Sequence, residues 1–379
     1  MSLVDRVRER LVISGAPAHP AQLAAALRAE GLVLGDEALG ALVEDMHREI
    51  SGAGPLQVLI DDPRTTDVVV NGPNSVFIDR GEGLQPADVN LGTEARVRAL
   101  AQRLAAAAGR RLDDACPYLD ARLPSGARLH CLLPPIATDG TCISIRVPRA
   151  KAFTLAELEA RGTVDSAAAE ILRTLIRTRA AIVITGGTGT GKTTILATLI
   201  GEVDPAERIV IAEDSAELQP IHPHLVRIQA RVPHVEGNGA ITLRDLVRQT
   251  LRMRPDRIIL GEVRGAEIID LLTAMNTGHE GGMVTVHANA PEDLPRRIEA
   301  LGLLAGVPRE AMHALLLAAI DVVIHMERAE SGQRRLAAIH VLQDRDGWAE
   351  AVPAYHVNSG ERGPAWNVIE ERGCFFSHQ

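Results

Sequence analysis

The stretch that decides the fold is AIVITGGTGTGKTTILATLI, which spans residues 181–200. Its first residues, Ala181–Thr185, form a short apolar and β-branched run, which is typical of a buried strand. Its last residues, Thr194–Ile200, are mostly apolar and favour a helix. The eight residues between them, Gly186–Thr193, match the pattern G-x-x-x-x-G-K-T. A strand, a glycine-rich loop and a helix in this order predict a phosphate-binding P-loop.

The residue types of this loop suit phosphate chemistry. Its glycines let backbone N–H groups converge on phosphate oxygens, and the helix N-terminus adds a partial positive charge. Lys192 can reach the β- and γ-phosphates and act in catalysis, and the Thr193 hydroxyl can bind Mg²⁺. We therefore predict ATP and Mg²⁺ as cofactors; the alternative is a glycine-rich turn that binds nothing. The predicted nucleotide-binding residues here are Gly186, Gly187, Thr188, Gly189, Thr190, Gly191, Lys192, Thr193 and Thr194.

Acidic residues end two further apolar runs. Arg208–Glu213 is followed by Asp214, and Glu217 comes four residues after Glu213. Acids at the carboxyl end of a parallel strand lie at the ligand edge of such a sheet. Glu213 is therefore a candidate to orient or deprotonate the attacking water, with Asp214 and Glu217 near the hydration shell of the metal. The alternative is that Asp214 or Ser215 caps a short helix.

The second acidic run is Ile258-Ile259-Leu260-Gly261-Glu262, an apolar strand that ends in an acid. This is a Walker B pattern with Gly-Glu in place of the commoner Asp-Glu. We predict that Glu262 is catalytic, either binding Mg²⁺ through water or polarising the nucleophilic water. The alternative is a solvated acid at a strand end.

Two histidines flank the strand that follows, His279 before it and His287 at its end. A lone histidine is usually structural or exposed, but two around a strand next to Glu262 favour a role in nucleotide binding or catalysis. Metal ligation is less favoured, because no third nitrogen or sulfur ligand accompanies them.

From about residue 167, helical and strand patterns alternate at the spacing of βαβ units, which predicts a mostly parallel sheet. The segment Ala311–Ile324 is typical of a buried helix that runs into a strand. The predicted fold class is α/β, with a RecA-like P-loop core, a mixed α/β N-terminal domain and a short helical N-terminal extension. The strands that we predict for the core are Ala181–Thr185, Arg208–Glu213, Leu225–Gln229, Arg257–Leu260 and Met283–Val286.

The rest of the chain divides by composition and pattern. Residues 1–50 are predicted to form helices, either a cap on the next domain or a docking extension. Residues 51–148 carry a strand at 67–72 with a hairpin partner at 76–79, a helix at 94–108 and strands at 127–133 and 142–147. Residues 149–163 are predicted to be a hinge, and residues 164–379 the ATPase domain. The stretch from Ser359 onward is predicted to be loosely ordered.

Composition limits the function classes. The chain has 379 residues, of which 40 are basic and 49 are acidic, and its net charge of −9 argues against an overall preference for nucleic acid or anionic membranes. Aromatic residues make up only 2%, so the core has to be aliphatic. The four cysteines show no C-x-x-C spacing. No apolar stretch reaches 18 residues, so no transmembrane helix is expected.

These motifs, in this order, resemble the type II/IV secretion ATPases. The similarity includes the P-loop, Glu213-Asp214, the stretch Leu251–Arg257, Gly261–Arg264 and the stretch from Ala274 to Asn289. Their order and spacing are similar to the TadA/CpaF branch, which powers Flp pilus assembly. Upstream, segments such as Thr66–Gly72 and Asp120–Pro124 resemble the N-terminal domain of that family. The resemblance covers about residues 52–345.

The resemblance implies a homohexamer of two-domain subunits that hold ATP near a subunit boundary. It implies an inner-membrane platform protein as partner, no nucleic acid, and a cytoplasmic location with only peripheral attachment to the inner membrane. It also gives arginines a role at the phosphates. Arg146 and Arg264 are the preferred candidates, and the alternative for each is a surface salt bridge. The other arginines considered are Arg122, Arg128, Arg252 and Arg254.

Three rival functions remain open. A nucleic-acid-translocating RecA-like motor would need a basic channel with stacking aromatics, which the composition disfavours. A small-molecule P-loop kinase would leave the N-terminal domain and the histidines unexplained. A nucleotide-dependent scaffold that does not hydrolyse ATP would not need Lys192, Glu213 and Glu262.

Overall fold

The structure is a computed structural model that describes residues 3–14, 19–31, 35–81, 83–147, 152–231 and 239–374. The chain forms two compact units, residues 1–150 and residues 151–379. Among the helices of the described residues, none combines the length and the hydropathy that crossing a membrane requires.

The first unit begins with the predicted helices. These are α1 (Leu3–Ser14), α2 (Pro20–Ala29) and α3 (Asp36–Ser51). Their apolar side chains recur at helical spacing and bury a small core of their own, which includes Val7, Leu27 and Val43. The extension is therefore more than a set of isolated helices lying on a neighbouring sheet.

A six-stranded antiparallel sheet forms the rest of this unit, in the order β3-β2-β1-β6-β5-β4. The predicted hairpin is confirmed, with Val70 of β1 opposite Val76 of β2. One face of the sheet packs against α5, because alternate residues of the strands are apolar. The elements are α4 (Gln57–Asp61), β1 (Asp67–Asn71), β2 (Val76–Asp79), β3 (Leu84–Pro86), α5 (Glu94–Ala107), β4 (Tyr118–Arg122), β5 (Arg128–Leu132) and β6 (Cys142–Arg146).

The second unit contains a nine-stranded sheet in the order β15-β14-β13-β12-β7-β11-β10-β8-β9. The strands from β12 to β9 in this order are parallel, and β13, β14 and β15 add an antiparallel edge. The strands are β7 (Ile182–Gly186), β8 (Ile209–Glu213), β9 (Leu225–Gln229), β10 (Arg257–Val263), β11 (Met283–His287), β12 (Val322–Arg328), β13 (Arg334–Arg345), β14 (Trp348–His356) and β15 (Glu361–Arg362).

Helices cover both faces of this sheet. The core of one face contains residues of α6, α7, α8 and α13, and the core of the other contains residues of α9 to α12. The helices are α6 (Leu155–Ala160), α7 (Ser166–Arg177), α8 (Lys192–Gly201), α9 (Leu243–Thr250), α10 (Glu267–Met275), α11 (Leu294–Leu304), α12 (Arg309–Ala319) and α13 (Trp366–Cys374). The central strands are apolar on both sides because both faces are buried.

All five predicted core strands are present, with ends shifted by no more than three residues. The largest shift is in β10, which continues to Val263 and therefore includes Glu262 within the strand. The predicted helix-to-strand segment is also confirmed, as α12 followed by β12. Since the parallel strands share one direction, their carboxyl ends meet at a single edge of the sheet.

Two segments differ from expectation. Within the predicted hinge at 149–163, Leu155–Ala160 form α6, which begins with a capping box between Thr154 and Glu157. Leu155 and Leu158 are buried in the core of the second unit, so this part belongs to that unit; residues 148–151 lie outside the described residues. The stretch from Ser359 is not loosely ordered as far as residue 374, because α13 buries Ile369 in the same core.

Candidate nucleotide site

The P-loop connects the end of β7 to the start of α8. Gly191 is the N-cap of α8 and has a φ of 100°. Gly186 has a φ of 144°, and a Cβ built on it would collide with the Met326 carbonyl oxygen and lie 2.7 Å from Thr190 Oγ1. A side chain is therefore excluded at Gly186 by both backbone conformation and space. The Thr190 hydroxyl donates to the Gly187 carbonyl at 3.0 Å and closes the loop.

Lys192 lies inside the loop that precedes it. Its Nζ atom donates to the carbonyl oxygens of Gly186 at 3.0 Å and Gly187 at 2.7 Å. Only 7% of the residue is exposed, and burial lowers the pKa of Lys192 while the negative charge of Glu262 opposes that shift. The ammonium group is thus held at the mouth of the loop, within reach of an anion seated there.

His287 connects Lys192 to Glu262. Its Nδ1 atom is 3.5 Å from Lys192 Nζ, and its Nε2 atom is 2.8 Å from Glu262 Oε1. Burial and the positive charge of Lys192 lower the pKa of His287, although Glu262 opposes the shift. A neutral ring can accept from the Lys192 ammonium through Nδ1. The contact of Nε2 with Glu262 is one of proximity, because the buried Oε1 atom of Glu262 makes no hydrogen bond. The P-loop and the Walker B acid are linked through this one imidazole.

Arg264 lies on the other side of the same carboxylate. Its Nε and Nη2 atoms donate to Glu262 Oε2 at 2.9 and 2.5 Å. The guanidinium is 61% exposed, whereas Glu262 is 23% exposed. Glu262 is therefore held between an exposed arginine and a half-buried histidine, at the edge of the sheet where the P-loop also lies. The sequence predicted these three residues for the site, and the structure brings them together.

Glu213 ends the neighbouring strand β8 and is 3% exposed. Its Oε1 atom accepts the backbone N–H groups of Glu217 at 2.9 Å and Leu218 at 3.0 Å. A Cβ built on Gly261 would lie 2.8 Å from Glu213 Cγ. The glycine that precedes Glu262 therefore makes room for Glu213, which gives a physical reason for Gly-Glu in place of Asp-Glu. The alternative of a helix beginning at Asp214 or Ser215 is wrong, because neither residue starts one.

His279 does not join this group within the chain. It lies before β11, and its Nδ1 atom is 3.3 Å from the Ala274 carbonyl oxygen. Four steps along β11 separate its two ends by roughly 13 Å, so His279 is at the opposite edge of the sheet from the P-loop. The role of His279 in nucleotide binding or catalysis therefore stays a prediction.

Arg146 belongs to the first unit. It is the last residue of β6, lies opposite Asp67 of β1, and its Nε atom donates to the Asp67 carboxylate at 3.1 Å. An ion pair of this exposure contributes little to stability. Its contact with a nucleotide stays a prediction.

The elements that pack on the other side of the P-loop were not predicted. Strand β12 lies beside β7, and His325 Nδ1 is 2.9 Å from the Thr185 hydroxyl. A Cβ built on Gly191 would lie 3.7 Å from Met326 Cε and 3.6 Å from Arg334 Cδ. The pattern predicted a strand near Ile324. That strand is a neighbour of the P-loop because of the strand order, which a local pattern does not show.

Comparison with known proteins identifies the family. The model of the type II/IV secretion system protein family matches residues 49–365. A putative conjugal transfer protein of Mycobacterium tuberculosis H37Rv is 51% identical over 334 residues, which are 86% of this chain and 95% of that protein. The chain belongs to the type II/IV secretion ATPase family. This confirms the predicted ATPase activity.

Other relatives of this secretion ATPase agree. The type IV secretion system protein PtlH of Bordetella pertussis is 32% identical over 298 residues, covering 71% of the chain and 87% of PtlH. The crystal structure of the pilus retraction motor PilT with bound ADP matches with a TM-score of 0.52 at 20% identity, covering 81% of the chain and 82% of PilT. The ATPase DotB of Yersinia pseudotuberculosis matches with a TM-score of 0.54 at 15% identity, covering 75% of the chain and 76% of DotB. These two structures support the predicted fold class.

Proposed function

We propose that this secretion ATPase is a ring-forming motor of the TadA/CpaF branch, which uses ATP hydrolysis to drive pilus assembly or protein secretion. The observation that carries the proposal is the chain of contacts from Lys192 through His287 to Glu262. It joins the group that binds phosphate to the group that would act on water. A phosphate-binding loop alone would suit a kinase or a scaffold equally well.

The residues of the site suggest how hydrolysis proceeds. When ATP binds, Lys192 turns from the carbonyls of Gly186 and Gly187 to the β- and γ-phosphates, which offer a charged acceptor in their place. Glu262, released from Arg264, orients the attacking water and takes its proton. Arg264 is then free to face the negative charge that develops on the γ-phosphoryl group.

Glu213 has a supporting role in this scheme. Its carboxylate is buried and accepts hydrogen bonds from the backbone of Glu217 and Leu218. It therefore places a fixed negative charge next to the strand that carries Glu262. A fixed charge at this place helps to order the water that Glu262 activates.

The oxygen donors of the site are suited to Mg²⁺. Thr193 is the second residue of α8, and the buried Oε1 atom of Glu262 lies at the same edge of the sheet. Hard oxygen ligands with few protein carboxylates are typical of Mg²⁺ that is shared with substrate phosphates. Thr193 would hold the ion directly and Glu262 through water, and the ion would neutralise phosphate charge. Among the described residues no cluster of three or more acidic, histidine or cysteine side chains could hold a metal by itself.

The partners of the motor follow from the same proposal. We infer a homohexamer that acts on an inner-membrane platform protein from the cytoplasmic face, attached only peripherally and without nucleic acid. Arg146 of the first unit and His279 would act at a nucleotide, either that of their own subunit or that of a neighbouring subunit. Movement of the two units about the predicted hinge would convert hydrolysis into work. The order and spacing of the motifs support the TadA/CpaF branch, whereas the names of the relatives include conjugal transfer and type IV secretion.

The ring is tested by electron microscopy of the purified full-length chain, with and without a non-hydrolysable ATP analogue. We expect closed six-membered rings that the analogue stabilises. Particles that stay monomeric in both conditions would contradict the proposal. ATPase activity that rises on addition of single-stranded or duplex DNA would instead favour a nucleic-acid motor.

A further inference from the structure

The hairpin between β12 and β13 lies beside the P-loop. Strand β12 runs parallel to β7, with His325 opposite Thr185, and continues for three more residues to Arg328. Arg334, the first residue of β13, pairs with Arg328 across the hairpin. Since β7 ends at Gly186, this end of the hairpin extends past the strand to the level of the loop.

The side chain of Arg334 lies against the start of α8. A Cβ built on Gly191, the N-cap of that helix, would lie 3.6 Å from Arg334 Cδ and 3.8 Å from Arg334 Cβ. The aliphatic part of the arginine therefore covers the loop residue whose neighbours would bind phosphate. The Arg334 side chain therefore lies beside the P-loop rather than on a remote surface.

The guanidinium of Arg334 has no partner within the described part of the chain. Its Nε atom is buried and makes no hydrogen bond. The next residue, Arg335, is different, because its Nε atom donates to Glu327 at 2.5 Å. A buried donor without an acceptor is costly, and such a group beside a ligand site points to an acceptor supplied by the ligand.

The strand order says which part of the nucleotide Arg334 faces. Glu262 and His287 come from β10 and β11, on one side of β7, whereas β12 and β13 lie on the other side. The γ-phosphate has to be near Glu262 for hydrolysis. The sugar and base then extend from the P-loop toward the side of β12 and β13.

We propose that Arg334 binds the nucleoside part of ATP and ADP, hydrogen bonding to or stacking on the sugar and base. A planar guanidinium suits both contacts. The inference rests on nucleotide binding at the P-loop and on the proposed hydrolytic role of Glu262, and it does not depend on ring formation or secretion. Arg334 is thus a binding residue for the nucleoside, distinct from the groups that hold the phosphates.

The test compares a ligand that has a nucleoside with one that lacks it. Binding of ADP and of inorganic tripolyphosphate to the full-length chain is measured by calorimetry for the native protein, Arg334→Ala and Arg334→Lys. We expect Arg334→Ala to weaken ADP binding about tenfold and to leave tripolyphosphate binding within about twofold. Arg334→Lys should fall between, because lysine keeps the charge but not the planar group.

The matched control is Arg335→Ala, which removes an arginine of the same strand that is paired with Glu327; it should bind both ligands like the native protein. Unchanged ADP binding in Arg334→Ala would overturn the proposal, and so would equal weakening for both ligands, since that places the contact on the phosphates. Retained tripolyphosphate binding shows that the variant has kept an intact P-loop. If the purified chain forms no rings, the motor function is contradicted, but the binding result for Arg334 still holds.

Discussion

At Gly186, the backbone leaves no room for a side chain. The Met326 carbonyl oxygen and Thr190 Oγ1 occupy the space that a Cβ would need, and the φ of 144° is unfavourable for other residues. We expect Gly186→Ala to lower the free energy of unfolding by at least about 2 kcal/mol, because overpacking and backbone strain each cost roughly 1–3 kcal/mol. It should also abolish ATP hydrolysis.

Denaturant unfolding and ATPase assays check this, with Gly189→Ala as the control. Gly189 also has a positive φ, of 73°, but no atom lies within 4 Å of its built Cβ. Its substitution should cost only the strain, on the order of 1 kcal/mol. An equal loss of the free energy of unfolding in the two variants would mean that the contact with Met326 does not affect stability.

Three histidines of the second unit make stability depend on pH. Burial is the main cause that lowers the pKa of His287, His325 and His340 below the ordinary value of 6.5. The histidines of the unfolded chain therefore bind protons more readily than those of the folded chain. Their contribution to the free energy of unfolding is present above the unfolded pKa and is lost as the pH falls through the folded pKa. We expect the free energy of unfolding to decrease from about pH 7.5 to about pH 5.5.

The variant His340→Asn should reduce that slope, since His340 is 2% exposed and is the most buried of the three. His130→Asn, at an exposed position of β5, is the control and should keep the native slope. Urea unfolding at several pH values measures both. A native protein whose stability rises as the pH falls through this range would show that the imidazoles are not held neutral.

The residues that bind phosphate were predictable because a P-loop is a local pattern. Lys192, Thr193 and the glycines follow from one continuous stretch, and Glu262 from a strand that ends in an acid. The nucleotide role of His279 stays a prediction, and the position of Arg334 beside the P-loop was not predicted from the pattern. Strand direction decides at which edge of the sheet a residue lies, and strand order decides on which side of the P-loop it lies. Both depend on contacts between residues that are distant in sequence.

At the scale of the elements, a buried arginine attaches β10 to a neighbouring helix. Arg257, its first residue, is 1% exposed and donates to Glu207 at 2.8 and 3.1 Å and to the Ile176 carbonyl of α7 at 2.8 Å. Removing one partner of a buried pair leaves the other charge uncompensated. We expect Arg257→Ala to lower the free energy of unfolding by about 3–5 kcal/mol.

The control for this prediction is Arg244→Ala, which breaks an ion pair with Asp270 at the surface. Because the Arg244 side chain is 43% exposed, its loss should cost only about 0–1 kcal/mol. Chemical denaturation of the two variants gives the comparison. A similar small loss in both would show that Arg257 is not needed to hold β10 on α7.

Element prediction succeeded where the hydrophobic period was strong and failed where short segments mixed polar and apolar residues. Four of the five predicted core strands, all except β9, are mostly apolar and buried runs, which are typical of a parallel sheet covered on both faces. In contrast, the short helix α6 and the helix α13 bury only a few apolar residues each, such as Leu158 and Ile369. Tertiary packing rather than local periodicity stabilises such helices.

At the scale of the whole molecule, the sequence indicated both units. The boundary between them lies at residues 150 and 151, close to the predicted end of the N-terminal domain at 148. The family match from residue 49 to residue 365 includes most of both units. Ring formation, cargo and attachment to a membrane platform depend on surfaces of other molecules, and a single chain carries no pattern that specifies them.

The central claim is that Glu262 makes the P-loop a hydrolytic site. It is tested most directly by the steady-state rate of ATP hydrolysis of the native chain and of Glu262→Gln, with ATP affinity measured in both. We predict that the variant loses at least about 100-fold in turnover, as expected when a general base is removed, and binds ATP within a few fold of the native protein. The control Glu280→Gln, at an exposed position, should keep the native rate. Equal rates in the native chain and Glu262→Gln, whether both are active or both near zero, would contradict the account.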